Sequence, residues 1–325
     1  MISGQNNTIQ PLLTIAIPTW NRANQLGEAL NHLLPQIEHY TGIIEFIISD
    51  NASSDNTIDI IDHAIKKYQS INFILYRQKE NNGFFGNFHK CISLGTGKYF
   101  WLLSDDDFVF EGVISLLINI FKEEEVGAVF LNDWTGDKTK KEIHTYKYTN
   151  QKSFFKEGPH RHSLISGIIY RNTIKGNDKI FEMLKGNPLI GYAVYLNAIN
   201  KYDKFVIIYG NSLQVRNDQI TRFNALKIFT LDLSECLKIA YKYYPKEIVN
   251  RIANSFLSAI ISGHYRNYKY KNLSKHQENN AFYLFGYYLK YINFWIYIFP
   301  FILLPKPIYL FLKKRLYDKV YKDRI

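Results

Sequence analysis

Short apolar runs alternate with helical stretches over about the first 130 residues, and this alternation limits the possible folds more than any other feature. The runs with strand character cover residues 12–17, 43–49, 72–76, 99–103 and 126–131. The stretches with helical spacing cover residues 23–39, 55–68, 84–94 and 111–122. Because this order builds parallel sheets with crossover helices, the pattern predicts an α/β fold with a mostly parallel sheet flanked by helices.

Each of the first four predicted strands is followed directly by a cluster of polar residues. The clusters are PTWNR at 18–22, DNASSD at 50–55, ENNG at 80–83 and SDDD at 104–107. Ligands bind at the carboxyl ends of the strands in such sheets, so these clusters are the candidate functional residues. Any one of them could be a turn, because Asn, Asp, Ser and Gly favour turns for local reasons. Four clusters on the same sheet edge are better explained by a shared ligand.

The acidic triplet of Asp105, Asp106 and Asp107 is the most specific of these signals. Three consecutive carboxylates repel one another unless a cation neutralises them. Mg²⁺ and Mn²⁺ prefer one or two carboxylates together with substrate phosphate oxygens. The triplet therefore indicates a divalent metal that bridges a diphosphate. The alternative is a helix N-cap, because acidic side chains also favour the start of the helix predicted at 111–122.

The other polar clusters indicate contacts with a nucleotide. Asp50 could accept a hydrogen bond from a base imide, whereas Asp55 is predicted to cap the following helix. The backbone at Asn82-Gly83 is predicted to come close to the nucleotide. Asn87 and Lys90 lie one turn apart on the third helix and are predicted to face the ribose and the diphosphate. Lys90 could instead point into solvent.

Four motifs together resemble a known family of enzymes. AIPTWNR, SDNASSDNT, ENNGFFGN and LLSDDD stand in the order and spacing of the family 2 glycosyltransferases, which have the GT-A fold. The pattern is most similar to that of abequosyltransferase-like enzymes of bacterial surface polysaccharide assembly. The resemblance covers about residues 12–132, and it implies an inverting transfer from a nucleoside-diphosphate sugar.

The resemblance also implies roles for individual residues. Pro18, Thr19 and Asn21 would line the nucleotide site, and Asp50 would bind the base. The acidic motif of the family is often Asp-x-Asp-Asp. In this sequence Ser104 occupies the first position of the motif. Asp106 and then Asp107 are therefore the favoured ligands for Mn²⁺ or Mg²⁺. The complete set expected to bind the nucleotide-sugar is Pro18, Thr19, Asn21, Arg22, Asp50, Asn51, Asn82, Gly83, Asn87, Lys90 and Asp105.

The general base for the acceptor hydroxyl is the residue that the sequence leaves open. Many relatives place an acidic pair 80–100 residues after the metal motif, but residues 186–199 contain no carboxylate here. Asp178 and Glu182 lie just before this stretch and are the candidates. Asp203, His160 and His162 remain as alternatives.

The net charge of the chain indicates which binding partners to expect, and its cysteine content indicates the cellular compartment. Forty basic and 29 acidic side chains give a net charge of +11, which favours an anionic partner such as a phosphorylated substrate or a membrane surface. Nucleic acid is not expected, because no nucleic-acid-binding module is recognisable and the basic residues are dispersed. Cys91 and Cys236 lie among apolar residues, and the polar N-terminus lacks a secretory signal, so we expect a cytoplasmic protein.

The last part of the chain is aromatic and basic. Residues 282–311 contain thirteen aromatic side chains, yet the most apolar stretch, 294–304, is shorter than the ~20 residues that span a bilayer. We expect a helical membrane-associating segment that holds the protein on the inner face of the membrane, where a polyprenyl-linked acceptor would be presented. A helical hairpin packed on protein is the alternative. The predicted division is 1–132 for the nucleotide-sugar, 133–263 for the acceptor and 264–325 for the membrane.

Other functions fit the sequence less well. A dinucleotide-dependent dehydrogenase or a sugar nucleotidyltransferase would need a glycine-rich turn after the first strand, and PTWNR contains no glycine. A non-catalytic protein that binds a nucleotide-sugar or a glycan with a GT-A fold remains the alternative, because the acidic pair of the second half is missing.

Overall fold

The computed structural model describes residues 10–132, 142–173, 178–216, 225–265 and 286–311. The chain divides into two compact units. Unit 1 comprises Met1–Glu157 and Arg161–Asp218, and unit 2 comprises Gly158–His160 and Gln219–Ile325. Unit 1 therefore includes the predicted nucleotide-sugar segment and much of the predicted acceptor segment. The functional division into three segments stays a prediction.

Unit 1 is built on an eight-stranded sheet with the strand order β3-β2-β1-β4-β8-β6-β9-β7. Six of these strands run in one direction, while β7 and β8 run against their neighbours. A separate antiparallel pair is formed by β5 and β10. The strands are β1 Leu13–Thr19, β2 Ile44–Asp50, β3 Asn72–Arg77, β4 Tyr99–Leu102, β5 Phe108–Val109, β6 Ala128–Leu131, β7 His144–Tyr148, β8 Ile168–Arg171, β9 Phe205–Tyr209 and β10 Leu213–Gln214. The prediction of a mostly parallel sheet is confirmed.

Helices connect these strands as predicted. In α1, Leu26, Leu30 and Leu33 recur at helical spacing and are buried, so this helix packs one apolar side onto the sheet. The helices of unit 1 are α1 Ala23–Ile37, α2 Thr57–Lys67, α3 Gly83–Leu94, α4 Val113–Glu123, α5 Gln151–Phe154, α6 Asp178–Met183 and α7 Ile190–Ile199.

Strands β1 and β2 lie at the centre of the core. All of β2 and six of the seven residues of β1 are buried, as expected for parallel strands covered on both faces. Ile15 and Phe46, which are register partners, are fully buried. Because both faces are packed with apolar side chains, the carboxyl ends of these strands are where polar chemistry can meet solvent.

Unit 2 is helical. A helix begins as α8 Ala225–Lys227, continues through a π-helical turn at Ile228–Asp232 and ends as α9 Leu233–Ala240. It is followed by α10 Lys246–Phe256, a π-helical turn at Leu257–Ile261, α11 Ile292–Tyr297 and α12 Phe299–Leu303. Leu237, Val249 and Phe294 are fully buried in this unit. Over the ranges that the structure describes, every helix is too short or too polar to cross a membrane.

Candidate active site

The loops after β1, β2 and β4 meet at one edge of the sheet. β1 pairs with β2 on one side and with β4 on the other, so their carboxyl ends are adjacent. The Thr19 hydroxyl at the end of β1 donates a hydrogen bond of 2.7 Å to Asp105 Oδ2 in the loop after β4. Two of the predicted polar clusters are therefore in direct contact, although they lie 86 residues apart.

Arg22 forms a fork that holds two of the three carboxylates. Its Nη1 lies 2.8 Å from Asp105 Oδ1, and its Nη2 lies 2.7 Å from Asp106 Oδ2. The Ser104 hydroxyl donates to the other oxygen of Asp106 at 2.6 Å. A guanidinium suits this arrangement, because its planar set of N–H donors can bind two carboxylates with fixed geometry. The acidic triplet is thus a positioned cluster and not a simple helix cap.

Two carboxyl groups of the cluster are buried, and their acidity is altered. Burial raises the pKa of Asp105 to about 6, although the Arg22 charge and the Thr19 hydrogen bond oppose the shift. Burial likewise raises the pKa of Asp107 to about 6, against hydrogen bonds from Ser166 and from the Arg216 backbone. Because the ionised forms are costly to bury, a cation at this cluster would be stabilising, so the donor set fits a divalent metal.

The three carboxylates have different hydrogen-bond partners. Asp107 Oδ1 accepts a hydrogen bond of 3.2 Å from the Arg216 backbone N–H. In the described portions of the chain, no three His, Cys, Asp or Glu side chains are arranged to hold a metal by themselves. Mg²⁺ and Mn²⁺ do not need three, since substrate phosphates complete the coordination. The Asp106 side chain is 13% exposed and that of Asp105 is 5% exposed, which makes Asp106 the more accessible ligand of the two.

Asp50 closes the loop that follows β2. Its side chain is fully buried, and its two oxygens accept hydrogen bonds from the Ser53 N–H at 3.2 and 3.3 Å. Arg77 Nε lies 3.3 Å from Asp50 Oδ2. The contact between Asp50 and a nucleotide base stays a prediction.

The loops after β1 and β2 are tied together through Asn21. The Asn21 N–H donates to Ser53 Oγ at 2.8 Å, and the Ser54 N–H donates to Asn21 Oδ1 at 2.7 Å. Asn21 has a φ of 51°, in the left-handed region that asparagine tolerates better than most residues. Asn21 therefore has a structural role in joining the two loops, in addition to any contact with a ligand.

The loop after β3 is joined to the same edge by asparagine side chains. Asn51 donates from Nδ2 to Asn81 Oδ1 at 2.8 Å and to the Gly83 carbonyl at 3.2 Å. In return, the Asn82 N–H donates to Asn51 Oδ1 at 3.0 Å. Gly83 has a φ of 67°, a conformation in which a side chain would be strained. These contacts place the predicted residues Asn51, Asn82 and Gly83 in one rigid loop cluster.

Asn87 and Lys90 are on α3, but they do not share one environment. Asn87 is buried, and its Oδ1 accepts from the Ser49 hydroxyl at 2.6 Å and from Gln78 Nε2 at 3.0 Å. Its Nδ2 donates to the carbonyls of Ser49 at 2.9 Å and Thr19 at 3.3 Å. Lys90 is half-buried, with its Nζ 4.4 Å from the Tyr76 ring centroid. The predicted contacts of both residues with a donor stay predictions.

Comparison with models of protein families identifies the family of this chain. The model of glycosyl transferase family 2 matches residues 14–180, which is more than half of the 325-residue chain. The chain belongs to glycosyl transferase family 2. The matched residues include the loops after β1, β2, β3 and β4, and they contain all of the predicted donor and metal residues.

Several known glycosyltransferases resemble part of this chain. Abequosyltransferase RfbV of Salmonella typhimurium is 39% identical over 108 residues, which is 33% of this chain and 31% of that protein. The GalNAc(5)-diNAcBac-PP-undecaprenol beta-1,3-glucosyltransferase of Campylobacter jejuni is 30% identical over 111 residues, which is 33% of this chain and 34% of that protein. The matches thus span about a third of each relative.

Solved structures share the fold of this family 2 chain. S. aureus TarS 1-349, in complex with UDP-GlcNAc, superposes with a TM-score of 0.60 at 13% identity, over 79% of this chain and 76% of that one. The mannosyltransferase PcManGT from Pyrobaculum calidifontis, in complex with GDP-Man and Mn²⁺, gives a TM-score of 0.52 at 14% identity, over 78% and 72%. Such likeness at low identity confirms the predicted GT-A-like fold.

The general base of this family 2 chain stays open. Glu182 lies on α6 and is exposed, while Asp178 begins this helix and its side chain is outside the described part. The same helix packs against α3, with the Phe181 ring centroid 4.5 Å from that of His89. His162 is buried among aromatic rings and lies 3.0 Å from the Tyr195 hydroxyl, which is a core environment.

Sequence reasoning missed two residues that support the acidic cluster. Ser166 Oγ accepts a hydrogen bond of 2.9 Å from the Ser104 N–H. The Arg216 guanidinium pairs with Glu28 on α1 and lies 5.3 Å from the Phe108 ring centroid, next to Asp107. Neither Ser166 nor Arg216 belongs to a recognisable sequence motif, and each lies more than 60 positions from the acidic cluster. Only the tertiary structure therefore reveals them.

Proposed function

We propose that this family 2 enzyme transfers a sugar from a nucleoside-diphosphate sugar to a glycan or polyprenyl-linked acceptor in the assembly of a bacterial surface polysaccharide, such as an O-antigen or a capsule. The observation that carries the proposal is the Arg22–Asp105–Asp106 cluster at the joined ends of β1 and β4. It lies where sheets of this kind bind ligands. The names of the Salmonella and Campylobacter relatives support the same class of reaction.

The donor is proposed to lie along the carboxyl ends of β1, β2 and β4. UDP-GlcNAc and GDP-Man, which the two structural neighbours bind, support a nucleoside diphosphate as the carrier of the sugar. The base is assigned to the loop that Asp50 closes. The diphosphate is assigned to the side of Arg22 and Asp106, where a guanidinium can contact phosphate oxygens.

A divalent metal, Mn²⁺ or Mg²⁺, is proposed to be held by Asp106 with Asp107 as the second candidate. When bound, such an ion supplies positive charge that stabilises the departing nucleoside diphosphate. Arg22 and Ser104 keep Asp106 in one orientation before the donor arrives. Thr19 does the same for Asp105, which we assign to the nucleotide.

The transfer is proposed to invert the configuration of the sugar. The acceptor hydroxyl oxygen forms a bond to the anomeric carbon on the face opposite the diphosphate, and the bond between that carbon and the diphosphate oxygen breaks. The hydroxyl proton passes to a general base, for which Asp178 and Glu182 are the candidates.

The enzyme is proposed to work in the cytoplasm, on the inner face of the membrane, with residues 264–325 making the contact. The segment combines aromatic side chains with a basic end, since residues 306–324 contain seven Lys and Arg and two Asp. Aromatic residues favour the headgroup boundary, and basic residues favour an anionic leaflet.

A panel of nucleotide-sugars tests the proposed function. With Mn²⁺ present, we expect one donor to raise the melting temperature and to be hydrolysed slowly to the free sugar and nucleoside diphosphate. Binding to the folded state alone raises stability by RT ln(1 + [L]/Kd), or about 2.7 kcal/mol at a hundredfold excess over Kd. Stabilisation without hydrolysis or transfer would favour a non-catalytic binding protein, and no stabilisation by any donor would contradict the proposal.

Removal of the Asp50 carboxylate is expected to weaken donor binding by roughly 1–3 kcal/mol, the usual cost of losing a charge-assisted hydrogen bond. Donor affinity of Asp50→Ala is measured by calorimetry at a temperature at which the variant is folded. Asp55→Ala is the matched control, because Asp55 also accepts hydrogen bonds from loop amides, those of Ala23 and Thr57. If Asp50→Ala bound the donor as tightly as the native chain, Asp50 would serve only to hold the loop after β2 in place.

A further inference from the structure

Exposed apolar side chains are concentrated in the last described part of unit 2. Fifteen large hydrophobic residues are exposed in the described ranges, and nine of them lie between residues 289 and 311. They are Leu289, Ile292, Trp295, Ile296, Tyr297, Leu303, Ile308, Leu310 and Phe311. Ile292 is 63% exposed and Trp295 is 44% exposed. Such a concentration of exposed apolar side chains in one segment is typical of a binding region for a protein or a membrane.

A lysine surrounded by tyrosine rings lies within this apolar region. Lys290 Nζ is 4.2 Å from the Tyr287 ring centroid, 4.9 Å from that of Tyr241 and 5.1 Å from that of Tyr291. The tyrosines are fixed by their hydroxyl groups, since Tyr241 donates to Asn250 Oδ1 at 2.7 Å and lies 3.0 Å from the Tyr291 hydroxyl. The ammonium group is thereby held in a defined place by cation–π contacts.

Two more lysines act on the same ammonium group. Burial lowers the pKa of Lys290, and the charges of Lys246 and Lys238 lower it further. Lys238, Lys246 and Lys290 are all exposed. Within the described ranges, no carboxylate forms a salt bridge with any of the three. Lysines that repel one another, with no acidic partner among the residues that the structure describes, form a site suited to an anion.

The lysines and the apolar residues are connected through Lys290, which contacts the ring of Tyr241 between the end of α9, which contains Lys238, and the start of α10 at Lys246. Leu289 and Ile292 flank Lys290 in the chain, and the Trp295 indole N–H donates to the Leu289 carbonyl at 2.9 Å. Trp295 therefore lies against the turn that contains Lys290. We call the set of Lys238, Lys246, Lys290, Leu289, Ile292 and Trp295 the lysine–apolar face.

We propose that the lysine–apolar face binds the headgroup region of an anionic phospholipid bilayer, with the lysines at the phosphates and the apolar side chains inserted beneath them. This inference rests on the proposed membrane location of the enzyme and assigns it to particular residues. A second copy of the chain is the less favoured occupant, because a symmetric contact would bring two like-charged lysine clusters together. A bilayer that contains anionic lipid complements both the charge and the apolar surface.

The proposal is tested by vesicle binding of the full chain. The variant Lys238→Gln, Lys246→Gln, Lys290→Gln is compared with the native chain on phosphatidylglycerol–phosphatidylcholine vesicles at low salt. Each lysine near an anionic surface contributes about a fivefold change in binding, so the triple variant is expected to lose about a hundredfold in partition coefficient. The matched control is Lys66→Gln, Lys122→Gln, Lys185→Gln, which changes the net charge equally at three exposed lysines of unit 1.

The control variant is expected to bind vesicles within about threefold of the native chain, because none of its three lysines belongs to the lysine–apolar face. An equal loss in both variants would show attraction by net charge alone and would overturn the proposal. If the Lys238→Gln, Lys246→Gln, Lys290→Gln variant bound vesicles as tightly as the native chain, the proposal would be overturned as well. Donor-dependent melting shifts, measured on all three preparations, test the glycosyltransferase function separately from the membrane contact.

A second variant tests insertion of the apolar side chains. Brominated lipids are expected to quench the fluorescence of the native chain, and Trp295→Phe is expected to remove most of that quenching while it retains binding. Ile292→Asp is expected to weaken binding at least tenfold. Concentration-dependent self-association that Ile292→Asp abolishes, with no native binding to vesicles, would assign the face to a second copy and would overturn the bilayer proposal.

Discussion

Replacement of Asp106 by asparagine is expected to lower the rate of sugar transfer at least about a thousandfold while the fold stays intact. The change keeps the shape of the side chain but removes the negative charge that would hold a divalent metal beside the diphosphate. Charge stabilisation by such a metal amounts to several kcal/mol in the transition state, and each 1.4 kcal/mol corresponds to a factor of about ten in rate. The measurement is the steady-state rate of transfer or donor hydrolysis with Mn²⁺ present.

The fold should survive this substitution because Asp106 is at the solvent edge of the sheet and its partners are Arg22 and Ser104. Asp62→Asn, at an exposed position on α2, is the matched control and should keep native activity. Circular dichroism and the melting temperature check the fold of both variants. More than a tenth of native activity in a folded Asp106→Asn variant would remove Asp106 from the metal site and leave Asp107 as the candidate.

Replacement of Asn87 by alanine is expected to destabilise unit 1 by about 3 kcal/mol, since a buried amide loses its hydrogen bonds and leaves the Ser49 carbonyl, the Thr19 carbonyl and Gln78 Nε2 without this partner. For a unit of this size we expect the melting temperature to fall by roughly 6–12 °C. Asn31→Ala, at an exposed position on α1, is the control and should change the melting temperature little.

The Asn87 variant also separates two roles for this residue. If Asn87 only fixes the ends of β1 and β2, donor affinity measured well below the melting temperature should stay within about threefold of native, because the donor contacts themselves remain. A native melting temperature in Asn87→Ala would contradict the structural role. Native stability combined with a large loss of donor affinity would instead support the predicted contact with the ribose.

The local pattern of the sequence was sufficient to predict the first half of the sheet. β1, β2, β3 and β4 and the helices between them follow apolar runs and helical spacing that neighbouring residues determine. By contrast, β8 enters the sheet between β4 and β6 in the opposite direction, although it lies more than 60 residues from β4 in the chain. No local pattern specifies such a pairing.

The shortest strands were also beyond prediction from sequence. β5 and β10 have two residues each and pair with one another across about 100 positions, so neither has a periodicity that could be recognised. β7 was not predicted as a strand, because four of its five residues are exposed. Exposed strands lack the apolar alternation on which such predictions depend.

At the candidate site, the motifs predicted the participants but not their mutual contacts. The sequence assigned Thr19, Arg22 and Asp105 to one ligand, whereas the structure joins them to one another by hydrogen bonds. The contact of Asn87 with the ribose stays a prediction, and the structure shows that Asn87 lies on the buried side of α3 with Phe88 and Cys91. A polar residue on the buried side of a helix cannot be recognised from periodicity, because its hydrogen-bond partners come from distant strands.

We propose that a divalent metal and a nucleoside-diphosphate sugar bind together at the ends of β1, β2 and β4. The most direct measurement is donor hydrolysis or transfer by the native chain, before and after excess EDTA and again after Mn²⁺ is restored. We expect activity to fall by at least about a thousandfold on chelation and to return with Mn²⁺, because the metal stabilises the leaving diphosphate. Full activity in excess EDTA would contradict the metal-bridged site at Asp106.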